Sequence, residues 1–234
     1  MAALLGLACT LALGRWQLSR AAQKEALQAA IQAQRALPPV AAAELLGAPL
    51  PASLLHRTVQ LRGSWVAERT VFLDNRQLHG KPGFFVLTPL RLADSPRAVL
   101  VQRGWVQRNF VDRSALPAVA TPAGEVRVAG RIAPPPSKLY AFDGVESGPI
   151  RQNLDLAAFA AESGLPLLGV SVLQTGAAED GLLRDWPEAD FGTAKHYGYA
   201  AQWFGLAGLI AALFIWFRMI RPFLLRRRAA RDGI

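Results

Sequence analysis

Tyr197–Phe217 reads YGYAAQWFGLAGLIAALFIWF, 21 residues with no charge and a single amide, Gln202. At a helical rise of about 1.5 Å per residue this covers roughly 30 Å, the hydrocarbon thickness of a bilayer. Tyr197, Tyr199 and Trp203 stand at one end and Trp216 at the other, the usual interfacial placement of amphipathic rings. The competing reading is a buried helix in a large soluble core, but such helices rarely run this long or end in RxxRPxxxRRR. The stretch is predicted to be a transmembrane helix, residues 197–217.

Charge gives its orientation. The chain of 234 residues carries a net +9, is 52% hydrophobic and only 18% charged, below the roughly 25% charged content of ordinary soluble domains. Residues 19–196 hold 19 basic and 16 acidic groups, a net of +3, whereas 218–234 hold six arginines against Asp232, a net of +5. The basic excess is a topology signal in a short tail, not an electrostatic case for nucleic acid. By the positive-inside rule the tail 218–234 is cytoplasmic and the central region lies across the membrane.

The other end of the chain begins with the apolar run Met1–Leu13, and no Lys or Arg precedes it as a signal-peptide n-region would require. It is predicted to be a first, short transmembrane helix, residues 1–18, with Arg15 snorkelling towards water and Trp16 at the interface. Residues 19–37 are rich in helix formers and extend it until Pro38-Pro39. A helical connector over 19–57 thus precedes the central domain, with a short Ala/Leu helix over 41–55.

From Thr58 the period becomes two. Val59, Leu61, Gly63 and Trp65 alternate with Gln60, Arg62 and Ser64, the pattern of a half-buried strand. Further strands are predicted at 70–75, 83–91, 98–105, 125–132, 150–153 and 168–175, with a short helix over 156–163 capped by Asp155. The fold class is therefore a membrane protein in which two transmembrane α-helices flank a β-rich extracytoplasmic domain, 58–196, an antiparallel sheet or small barrel with α+β character.

The residues with chemistry are few. No GxSxG, GxxxxGK[ST], HExxH or GxGxxG occurs, and the lone Cys9 makes neither a CxxC nor an intramolecular disulfide. The paired acids Glu179 and Asp180 fall in a loop and read as solvated. An enzyme is not expected. His56 and His79 read as loop histidines. His196 stands at the outer mouth of the second predicted membrane helix, with Tyr199, Ala200 and Trp203 at i+3, i+4 and i+7. Ionisable groups at that depth are functional candidates, and a neutral imidazole is an axial iron ligand. The plain alternative is an interfacial hydrogen-bonding histidine. Asp74-Asn75-Arg76 and Gln102-Arg103-Gly104-Trp105 read either as a paired Asp–Arg cluster around a buried Trp or as a protein-contact face through Asn75, Arg76, Arg103 and Trp105.

Six fragments in order resemble the surfeit locus protein family, the Surf/Shy-type cytochrome c oxidase assembly factors: GRWQLSR at 14–20, VQLRGSW at 59–65, LDNRQLHGKPGFFVLTPL at 73–90, VLVQRGWV at 99–106, RQNLDL at 151–156 and HYGYAAQWFGLA at 196–207. The resemblance implies a two-helix membrane protein with its β-rich domain on the periplasmic or intermembrane-space side. The lack of a basic presequence and the Arg/Ala bias point to a bacterial-type, multi-pass protein of the plasma (inner) membrane, its central domain periplasmic and both termini cytoplasmic. The resemblance also implies a role in haem a insertion into the oxidase catalytic subunit, beside the haem a synthesis or insertion machinery. It implies haem a as a transient cofactor ligated by His196, with Tyr199 and Trp203 packing the ring. The alternative is a cofactor-free membrane scaffold for the oxidase subunit. The chain departs from the family pattern at Lys195, usually Asn, and at Tyr197, usually Leu.

Overall fold

The computed structural model describes residues 1–47, 52–109, 111–112, 115–139, 147–178, 180–187 and 192–232. Residues 48–51 of the predicted connector helix, and Glu179, lie outside them. The chain divides into two compact units, residues 31–188 and residues 1–30 with 189–234.

The first of these units is a closed barrel with a side sheet. Its strands are β1 (Thr58–Trp65), β2 (Val71–Leu78), β3 (Lys81–Leu92), β4 (Ala98–Gln107), β5 (Glu125–Ala133), β6 (Ile150–Arg151) and β7 (Leu167–Gln174). They run β1-β5-β7-β4-β3 and close into a five-stranded ring where Trp65 pairs with Leu90, while β2 and β6 extend outward from β3. The predicted barrel is present, but it is not wholly antiparallel: β4–β7 and β2–β6 are parallel pairs. Strand alternation fills the ring with Val59, Leu61, Val99, Val101, Val128, Ile132, Val170 and Val172.

Outside the ring, helix α2 (Leu156–Ser163) packs Phe159 over Leu73, Leu87 and Leu100. β4 is consequently buried on both faces, Val99 and Val101 inward and Leu100 outward, which is why it reads as a nearly continuous apolar run. α2 has the predicted bounds, and the Asp155 carboxylate caps it by accepting from the N–H groups of Ala157 and Ala158.

Several sequence boundaries move. Of the predicted 41–55 helix, the described residues form two 3₁₀ turns, Ala42–Leu46 and Ala52–Leu54. The strand predicted over 150–153 shortens to Ile150–Arg151. β2 and β3 grow towards each other until only His79 (φ 50°) and Gly80 (φ 73°) separate them, the positive-φ pair of a tight hairpin turn. Gly83 follows because a Cβ there would lie 2.3 Å from the Val106 carbonyl oxygen and 2.4 Å from the Trp105 ring.

The second unit is an antiparallel pair of helices. α1 (Ala2–Ala36) is continuous through the predicted boundary at 18. α3 (Thr193–Ile215) passes through a π-turn, Trp216–Ile220, into α4 (Arg221–Asp232). Pro222 accounts for the π-turn: it has no N–H to offer the Arg218 carbonyl and its ring would collide with that group, so the preceding turn widens.

Along α1, up to Lys24, the less exposed positions are Ala3, Gly6, Leu7, Thr10, Gly14, Gln17, Ala21 and Lys24. Along α3 they are Thr193, His196, Ala200, Trp203, Phe204, Ala207, Ile210 and Ala211. Each set contains a run whose steps alternate three and four, the 3.5-residue repeat that keeps two helices in register as they wind around each other. Small residues hold the seam close; the Gly14 Cα faces the Phe204 ring, which a Cβ would approach to 2.7 Å.

Among the described residues one helix, Thr193–Arg228, is long and apolar enough to cross a membrane. α1 does not reach that standard. Its apolar stretch before Arg15 covers only about 20 Å at 1.5 Å per residue, so a first transmembrane helix over 1–18 is not established by length and composition.

Candidate functional site

His196 lies in the first turn of α3, on the stripe that faces α1. Its Nδ1 is 2.7 Å from the Gln17 amide oxygen. That oxygen only accepts, so Nδ1 donates, and in the neutral imidazole Nε2 is the nitrogen with the lone pair. One residue on, the Tyr197 hydroxyl donates to Glu25 at 2.9 Å. Two consecutive residues of α3 are thus bonded to two residues of α1 lying 8 positions apart.

The structure places Trp203 on the same stripe as His196, half-buried, and Tyr199 at its flank, 52% exposed. Ala200, between them in sequence, is buried. Gln17 belonged to the quoted GRWQLSR fragment, but nothing in one sequence pairs it with a residue 179 positions away.

Among the described residues no three His, Cys, Asp or Glu side chains gather. The metal chemistry that His196 offers is that of one imidazole, suited to an iron whose other ligands come from a macrocycle. A protonated Nδ1 bonded to a carbonyl oxygen is the outer-shell arrangement that orients a ligating imidazole and strengthens its Nε2 as a donor. His196 therefore fits an axial ligand.

The barrel holds the other predicted residues, with a different outcome. Arg103 points inward like Val99 and Val101 and is 2% exposed. Its guanidinium lies 4.8 Å from the Trp65 ring centroid and donates to the Thr121 hydroxyl, the Ala120 carbonyl and Asp180 at 2.8, 2.6 and 3.2 Å. Asp180 also accepts from Arg184 at 2.7 Å, so it is a half-buried ion-pair residue and not a solvated one. Burial pushes the Arg103 pKa down, and Asp180 opposes that shift. The group lines a cavity of about 340 Å³ at one end of the ring.

Arg76 is buried too, donating to the Ser137 and Gln152 carbonyls at 3.0 Å each. Trp105 is buried and its indole N–H donates to the Arg76 carbonyl at 2.8 Å. Of the predicted contact residues Asn75, Arg76, Arg103 and Trp105, only Asn75 is exposed; it sits at the bulge in β2 with φ 59°. The other three brace the fold from within, so they do not form a contact face. The two remaining histidines are turn residues: His79 pairs with Asp185 at 3.1 Å in the open, and burial, then Arg131 and Arg35, push the His56 pKa down.

Fold and site together define a small β-barrel domain in a chain that also carries a long apolar helix and a single well-oriented histidine. The SURF1 family matches residues 4–208, and the chain belongs to it. A SURF1-like protein of Drosophila melanogaster is 27% identical over 230 residues, covering 91% of this chain and 74% of that protein. A SURF1-like protein of Rickettsia conorii is 26% identical over 221 residues, covering 89% and 86%. The cytochrome oxidase assembly protein SHY1 of Saccharomyces cerevisiae is 30% identical over 107 residues, covering 42% of this chain and 25% of that protein.

Proposed function

We propose that the chain is a non-enzymatic assembly factor for cytochrome c oxidase that receives haem a on His196 and passes it towards the catalytic subunit. Family membership supports the assembly role. The observation that carries the haem reading is the His196–Gln17 hydrogen bond, which leaves Nε2 as the donor nitrogen. Haem a is cargo in this reading, and His196 Nε2 would be the nitrogen offered to its iron. Gln17 holds the imidazole in one tautomer, and Trp203 and Tyr199 offer aromatic surface to the ring.

A single axial nitrogen gives modest affinity, which suits a carrier whose cargo must leave for a tighter site. The partners are the oxidase catalytic subunit and the haem a synthesis or insertion machinery. The apolar stripe shared by α1 and α3 supports a two-helix hairpin in a bacterial inner membrane. The arginine-rich tail supports cytoplasmic termini and a periplasmic barrel.

The test is His196→Ala co-expressed with haem a synthesis. The variant is expected to insert in the membrane and purify without the Soret band of the parent. Unchanged haem content overturns the ligand role. A haem-free parent that still co-isolates with the oxidase subunit overturns it in favour of a cofactor-free scaffold.

A further inference from the structure

At the opposite end of the helical pair from His196, α1, α3 and the π-turn line an apolar cleft of about 520 Å³. Ala3 and Gly6 form one wall; Ile210, Phe214 and Phe217 form the other, and Arg218 is the charged residue at its edge. The cleft has a physical origin in both chains of atoms. Ala3 and Gly6 offer almost no side-chain volume, and on the other side the π-turn forced by Pro222 begins at Trp216 and carries Arg218. Phe217 links the cleft to a second cation, because the Arg221 guanidinium stacks 5.8 Å from its ring centroid. The SURF1 family match ends at residue 208, before every α3 residue of this cleft.

We infer that the cleft binds one phospholipid with an anionic headgroup, an acyl chain between Gly6 and Phe214 and the phosphate on Arg218 and Arg221. The inference rests on the reading of α1 and α3 as a membrane hairpin. In hydrocarbon surroundings an apolar groove is lined by chains, not by water. What selects among lipids is the charge at its mouth. Guanidinium groups match phosphate oxygens in pairs of parallel N–H···O bonds, and basic pockets between membrane helices at a cytoplasmic surface are anionic-lipid sites.

The experiment places the full chain in phosphatidylcholine vesicles carrying spin-labelled phosphatidylglycerol or spin-labelled phosphatidylcholine and reads the motionally restricted fraction. Phosphatidylglycerol is expected to be favoured about fivefold, matching the ~1 kcal/mol a basic residue gains beside an anionic leaflet. Arg218→Gln combined with Arg221→Gln should bring that ratio to about one. Ala3→Leu and Gly6→Leu, each filling the cleft, should remove the restricted component of both lipids. Replacing Arg226, Arg227 and Arg228 with Gln should leave the preference in place. A preference that survives the Arg218/Arg221 double replacement and disappears with the triple variant overturns the site, since it then belongs to the tail. Flotation with the vesicles separates the two readings: a chain that floats but restricts no lipid overturns the cleft alone, and a chain that does not float overturns the hairpin as well.

Discussion

The barrel and the helical pair both depend on glycines where backbones come close, but what presses on those glycines differs. At Gly83 the neighbours are the Val106 carbonyl oxygen and the ring of Trp105, buried and tied by its indole N–H to Arg76. Neither can move without disturbing the ladder. At Gly14 the neighbour is the Phe204 ring, the far end of a side chain with two rotatable bonds. The barrel is thus specified by crowding of fixed groups, whereas the helical seam is specified by groups that can give way. Their cohesion differs in kind as well: burial of Val59, Val101, Val172 and their neighbours holds the ring, while the helical pair is joined by close packing at Gly14 and by the His196–Gln17 and Tyr197–Glu25 bonds.

That contrast is most severely tested by Gly83→Val, which should cost about 3 kcal/mol or more through overpacking against immobile atoms. The expected result is loss of the cooperative urea transition followed by tryptophan fluorescence. A folded, near-normal barrel would mean that Trp105 is less fixed than its hydrogen bond implies.

Gly14→Leu comes next. It should cost about 1–2 kcal/mol, the ordinary range for overpacking, and confine the damage to the helices. Amide hydrogen exchange in α1 is expected to rise several-fold while barrel amides keep their protection. Equal loss in both units would erase the distinction drawn here.

The smallest effect belongs to Asp155→Ala, which removes the α2 cap at the barrel surface and should lower the melting temperature by only a few degrees. The Ala158 N–H, and after it Lys138, hold the Asp155 carboxyl below the usual carboxylate range. A depressed folded-state pKa contributes stability above the unfolded value, roughly pH 4, that is lost as pH falls through the folded value. The variant should therefore show a shallower loss of stability on the acid side than the parent. An unchanged acid slope would place that sensitivity elsewhere, with Glu162 next in line because Arg151 also holds its pKa down.

Local signals carried much of this structure. The period-two alternation from Val59, the Asp155 cap and the apolar run from Tyr197 all act within a turn or a strand, and each produced its element. The alternation also held the fate of Arg103: QRGW continues the inward parity of Val99 and Val101, so the side chain had to enter the ring. Reading it by residue type, as an interface arginine, set that parity aside. Other features were beyond local reach. The parallel pairing of β4 with β7 and the Gln17–His196 bond join residues far apart in the chain, and no spacing rule connects them. The π-turn was foreshadowed only by Pro222, whose effect falls on the residues before it.

The pairing of β7 also has a consequence for how the domain comes together. β2, β3 and β4 are neighbours in sequence and in space, so this meander forms from short loop closures. β7 must instead enter between β4, to which it runs parallel, and β5, to which it runs antiparallel, after the chain has gone round through β6 and α2. Until then two strands of the ring present unpaired edges, and the 71-residue closure that brings Ser171 to Leu100 is still outstanding. Barrel closure by β7 is on this topology the late event in folding, and the meander is the part of the domain that is ready first.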